Sequence, residues 1–169
     1  MPKSEEESPH YKTVYRILPE FAKKLKDEGV ISHYDRKQIK IELMKNWDPI
    51  KFNPDLVLHV PNRGKVVVEI VNPNGEPKRF MGELIYPHIL GHLRRIQAAM
   101  LWVLHSKSGK SKRAATQQIS LERFLKETIP ATAYYWRASD LENIDLNRDQ
   151  LYHVFKKAVI DYKKNGKFS

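Results

Sequence analysis

Residues 55–71 read Asp55-Leu56-Val57-Leu58-His59-Val60-Pro61-Asn62-Arg63-Gly64-Lys65-Val66-Val67-Val68-Glu69-Ile70-Val71. Two runs rich in β-branched residues, Leu56 to Val60 and Lys65 to Val71, flank a Pro-Asn-Arg-Gly connection whose turn formers suit a hairpin. The second run is apolar on both faces, the pattern of a central strand covered above and below. Glu69 interrupts it. An isolated carboxylate inside such a strand is costly enough that it takes up a proton or finds a cation. Side chains alternate along strands, so Asp55, Val57 and His59 share one face of the first strand and Val67, Glu69 and Val71 one face of the second. A hairpin in matching register places Asp55 and Glu69 together at its open end. Two carboxylates repel unless a cation lies between them. Their oxygens, with a main-chain carbonyl and water, suit Mg²⁺, which can activate water against a phosphodiester.

Outward from the hairpin, Val14, Leu18, Phe21, Ala22 and Leu25 recur at helical spacing from Tyr11 to Glu28, with Gly29 as a stop and Pro19 starting a second segment or kinking one. Ile39, Ile41 and Leu43 alternate with Lys40 and Glu42 as a short strand, and Met44 to Pro54 is expected as a loop. Pro87 begins a helix whose stripe, Ile89, Leu93, Ile96, Met100 and Leu104, runs to about His105. Ser120 caps a short helix through Glu127, and Thr132 to Arg137 reads as a strand. Asn147 with Gln150 caps a last amphipathic helix that Gly166 ends. The expected class is α/β: a mixed sheet flanked by helices, in the order helix, three strands, helix, strand, helix. Residues 1–10 are expected as a disordered tail and residues 11–169 as a single domain.

The 169 residues carry a formal charge of +10. Residues 62–113 hold ten Lys or Arg against Glu69, Glu76 and Glu83, so most of the surplus lies in that window. A concentrated positive field suits a polyanion, nucleic acid first, because neutralised phosphates release counterions. The chain has no cysteine, which excludes a disulfide scaffold, a thiolate zinc site and a cysteine nucleophile. Its longest apolar run, Ala98 to Leu104, is far shorter than the ~20 residues that span a bilayer. The acidic start, Met1-Pro2-Lys3-Ser4-Glu5-Glu6-Glu7, is unlike a secretory signal, and a cytoplasmic location is expected.

Pro54-Asp55, followed on the next hydrophobic strand by Glu69-Ile70-Val71, resembles the PD-(D/E)XK nuclease superfamily, as does the element order from Tyr11 to Arg137. The resemblance implies a restriction-endonuclease-like fold and a Mg²⁺- or Mn²⁺-dependent endonuclease acting on DNA. It implies that Asp55, Glu69 and the Ile70 carbonyl hold the metal, with Glu20 or Glu28 of the first helix contributing. Many relatives cut as dimers, which makes a homodimer an open expectation. The motif lysine, which stabilises the attacking water and developing charge, is replaced by Val71. Either a lysine from elsewhere faces the site, Lys40 first and Lys78 second, or the domain is a non-catalytic relative that binds nucleic acid or a protein partner. Arg63, Lys65, Lys78, Arg79, Arg94, Arg95, Lys107, Lys110, Lys112 and Arg113 are the expected backbone contacts.

Other groupings read more simply. His88 and His92 lie four apart but lack the intervening catalytic Glu of a zincin, and read as surface or phosphate-contacting residues. Gln97 lies farther along the same helix, where the resemblance implies a polar residue near the site. Ser108-Gly109-Lys110-Ser111 lacks the upstream glycine of a phosphate-binding loop, since His105 stands there. Tyr134, Tyr135 and Trp136 can stack on bases, although adjacent strand residues face opposite ways. Trp102 reads as core and Trp47 as a loop anchor.

Overall fold

A computed structural model describes residues 9–42, 44–71, 96–104, 133–138 and 148–166. The described chain is mixed α/β. Helix α1 (Pro9–Lys12) runs through a π-helical stretch (Thr13–Ile17) into α2 (Leu18–Asp27). Pro19 sits in the first turn of α2. Having no N–H, it cannot close the bond to the residue four before it, and the Leu18 amide instead donates to the Thr13 carbonyl, the wider π spacing. Gly29, at φ +69°, ends α2 in a Schellman motif: its amide donates to the Lys26 carbonyl and that of Val30 to the Leu25 carbonyl.

The strands are β1 (His33–Asp35), β2 (Ile39–Ile41), β3 (Ile50–Phe52), β4 (Leu56–Val60), β5 (Gly64–Val71), β6 (Ala98–Leu104) and β7 (Ala133–Ala138), and α3 (Arg148–Asn165) follows. The main sheet has the order β1-β4-β5-β6-β7, antiparallel over its first three strands and parallel from β5 onward. β2 and β3 form a separate antiparallel hairpin.

Leu56, Leu58 and Val60 of β4 and Val66, Val68 and Ile70 of β5 face α2 and α3, with Phe21, Leu25, Phe155 and Val159 completing the larger core. The alternate residues, Val57 and Val67, join Phe52, Ile96 and Ala99 in a smaller cluster on the opposite face, covered by Ile39 and Ile50 of the β2–β3 hairpin. Helices α2 and α3 thus lie on one face. No helix among the described residues is long and apolar enough to cross a membrane.

Three sequence expectations are corrected. Ala98–Leu104 is a parallel strand, not the end of a helix: its unbroken apolar run fits a strand buried on both sides as well as it fits a helical stripe. Ile50–Phe52, expected as loop, pairs with Ile39–Ile41, because its apolar–polar–apolar alternation outweighs the prolines on either side. Helical structure begins at Pro9, inside the expected tail. The hairpin, the β7 strand and the last helix form as expected. The expected helix starts at Pro87 and Ser120, and the Asn147 cap, lie outside the described residues.

Candidate metal centre

Val60 pairs with Gly64 across the β4–β5 turn, where Asn62 (φ 64°) and Gly64 (φ 99°) adopt the left-handed backbone that brings the chain round. The register that follows, Leu56 opposite Val68, sets Asp55 opposite Glu69 when extended by one residue. Directly opposed residues on one face hold their Cβ atoms roughly 4.5–5.5 Å apart. The acids therefore come from neighbouring strands to one place, on the face that bears Val57 and Val67.

Hydrogen bonds tie them into the end of the ladder. The Asp55 amide donates to Glu69 Oε1 at 3.2 Å, and the Ile70 amide donates to Asp55 Oδ2 at 2.8 Å. Each backbone N–H that the ladder would otherwise leave at its edge is taken by a carboxylate of the facing strand. Each carboxylate is oriented by that bond. The N–H and C=O of a strand residue lie on the same edge, so the Ile70 carbonyl also faces the β4 side, as the expected third ligand requires. Glu69 is 6% exposed and Asp55 half-buried, so the arrangement is set into the sheet.

The other expected site residues fall elsewhere. Glu20 bonds Arg148 and lies 3.6 Å from Lys24, while Glu28 pairs with Lys156 at 2.8 Å. Both lie on the helical layer covering the opposite face. The structure does not bring them to Asp55 and Glu69. Lys40 pairs with Lys51 across the β2–β3 hairpin, both exposed, while Ile39 and Phe52 occupy the alternate positions that pack inward. Strand alternation therefore turns Lys40 outward, away from the acids.

Gln97 immediately precedes β6, and its amide and side-chain oxygen bracket the backbone of Lys65. That is four residues along β5 from Glu69, about 13 Å. Its expected place beside the acids came from the mistaken helix. Arg63 is committed to structure: Nε and one terminal nitrogen donate to the carbonyls of Lys163 and Lys164, satisfying the last turn of α3. Lys65 is exposed. Trp47, expected as an anchor, is 67% exposed at the tip of the β2–β3 hairpin. Lys78, Arg79, His88, His92, Arg94, Arg95, Lys107, Lys110, Lys112 and Arg113 lie outside the described residues.

A second polar grouping occupies the same sheet face at the other end of β4. His33 of β1 pairs with His59 of β4, their rings stacked with centroids 3.6 Å apart. Asp35, two residues along β1, places Oδ2 2.9 Å from His59 Nε2, and its Oδ1 accepts the Lys37 amide at 2.9 Å. Burial acts to raise the Asp35 carboxyl, and the Lys37 amide and His59 ring outweigh it, holding the group below its ordinary value. Sequence reading placed His59 on this face but missed its partners. The available signal was His33-Tyr34-Asp35, two polar residues at strand spacing, obscured by a strand only three residues long.

Comparison with the models of known families, with curated proteins and with solved structures gives no match.

Proposed function

We propose that the chain is a divalent-metal-dependent endonuclease acting on DNA, with the metal held by Asp55 and Glu69. One observation carries this reading: the two acids stand on adjoining strands, linked by reciprocal bonds from the Asp55 and Ile70 amides. Two further features agree with a PD-(D/E)XK-like core. Asp55 immediately precedes the second strand of an antiparallel set and Glu69 lies on the third, and the next strand of the sheet joins in parallel.

The bound ion would lower the pKa of a coordinated water and offset charge growing on the phosphate. The chain's own residues orient that ion. Ile70 and Asp55 amides fix the carboxylate planes, and burial of Glu69 keeps competing water from one side of the site. With Lys40 turned outward, Lys78 is the remaining candidate for the cation that Val71 does not supply. Lys40, Lys51 and Lys45 project from the β2–β3 hairpin as exposed cations, and like charges set directly opposite one another suit a polyanion lying across them.

The test is incubation with supercoiled, linear and branched DNA, in Mg²⁺ or Mn²⁺ and in chelator. Metal-dependent nicking that disappears in Glu69→Gln, with DNA binding retained, supports the enzyme. Salt-sensitive binding without cleavage in either metal replaces it with a non-catalytic nucleic-acid-binding domain.

A further inference from the structure

The geometry points to a second metal centre: His33, Asp35 and His59 form a three-ligand site for a zinc-like divalent ion that ties edge strand β1 to β4. One ligand atom from each of the three residues lies within 4.8 Å of the other two. A four-coordinate ion with bonds of about 2.0–2.1 Å sets its ligand atoms about 3.0–3.4 Å apart. The 2.9 Å between Asp35 Oδ2 and His59 Nε2 already matches an adjacent pair. The rest, up to 4.8 Å apart, must close by as much as ~1.4 Å to reach that spacing, through side-chain rotation.

Neighbouring groups hold one atom each of His33 and Asp35, and the stacked imidazoles must turn out of their near-parallel planes for both to reach one ion. The Ser32 hydroxyl lies 3.2 Å from Nδ1 of His33, holding that ring by one nitrogen and leaving the other for an ion. The Lys37 amide takes Oδ1 of Asp35 and leaves Oδ2 turned to His59. Two imidazoles and one carboxylate suit Zn²⁺ and its borderline neighbours rather than Mg²⁺, which prefers oxygen alone. Three protein ligands leave a coordination position open. His33 and His59 line a broad cleft of roughly 750 Å³, with Lys65 and Gln97 on its wall, into which that position can open.

The site is separate from the nuclease reading. His59 and Asp55 are four residues apart on one strand, about 13 Å. Binding here rests on none of the acids assigned to Mg²⁺.

The experiment is calorimetric titration of chelator-treated full-length protein with Zn²⁺, paired with thermal melts and with Co²⁺ absorption. With Mg²⁺ in excess to occupy the acid pair, the expected result is one Zn²⁺ per chain, a raised Tm and a visible Co²⁺ band. Affinity should fall tenfold or more in His59→Gln and in His33→Gln, and stay unchanged in Asp55→Asn. His33 is exposed on an edge strand, so its variant keeps the test sound should His59→Gln fail to fold. Absence of Zn²⁺ binding, or binding unchanged in both histidine variants, overturns the site. Loss in Asp55→Asn alone moves the ion to the acids and overturns it as well.

Discussion

Glu69 illustrates how a single residue in the wrong company reveals a site. Its neighbours Val66, Val67, Val68 and Ile70 are all buried, and it is buried with them. Alternation alone set Asp55 on its side of the sheet, and the bonds through the Asp55 and Ile70 amides agree. What alternation could not give was the fate of the lysines. Lys40 sat one residue from apolar neighbours on a strand whose partner, Ile50–Phe52, was not recognised, so the direction of its side chain could not be fixed from sequence. Paired with Lys51 on the outer face, it points away from the acids. Lys40→Ala should leave kcat unchanged, weaken DNA binding and reduce the salt dependence by about one phosphate contact. Binding isotherms at several salt concentrations measure this, and a lower kcat with unaltered affinity would return Lys40 to the site.

The β4–β5 hairpin is the element on which both proposed metal centres depend, and its turn is held from two sides. A Cβ at Gly64 would collide with the side chain of Gln97, and the φ of 99° is itself strained for any other residue. Gly64→Ala should cost at least about 1 kcal/mol, more than the usual entropic effect of removing a glycine, read by urea denaturation. Arg63 clamps the opposite side, donating to the carbonyls that end α3, while Tyr162 reaches back to the Arg63 carbonyl at 3.5 Å. Arg63→Ala should lower stability by about 1–2 kcal/mol, the scale of bonds from a charged donor, with little change in the salt slope of DNA binding. A large change in that slope would restore Arg63 to the nucleic-acid contacts. The hairpin, β7 and α3 were legible because periodicity and turn chemistry agree there. β6 was not, since an unbroken apolar run carries no period to separate strand from helix.

Across the whole molecule the sheet divides labour between its faces. The helical face is apolar and closed by α2 and α3, which are joined at their rims by charge pairs, Glu20 with Arg148 and Glu28 with Lys156. The Lys156 ammonium that hydrogen-bonds Glu28 holds its carboxyl below the ordinary value of 4.5. A lowered carboxyl contributes stability that is complete above the unfolded value and is lost as pH falls through the folded one. Lys156→Ala should therefore destabilise slightly at pH 7, by under about 1 kcal/mol for so exposed a pair. Urea melts in strong acid should bring variant and parent together, whereas a gap that widens in acid would contradict the assignment. The other face carries the polar groupings, with acids at one end of β4 and histidines at the other. The surplus of Lys and Arg was legible in the sequence, but its placement was not: the structure assigns Arg63 to a helix end and Lys40 and Lys51 to an outer hairpin face. The most direct check of the acid pair is Mn²⁺ binding followed by electron paramagnetic resonance, in a His33→Gln, His59→Gln background that silences the second site. One Mn²⁺ per chain is expected, weakened tenfold or more by Asp55→Asn and by Glu69→Gln; Mn²⁺ bound equally well after both acid substitutions, or not bound at all, would contradict it.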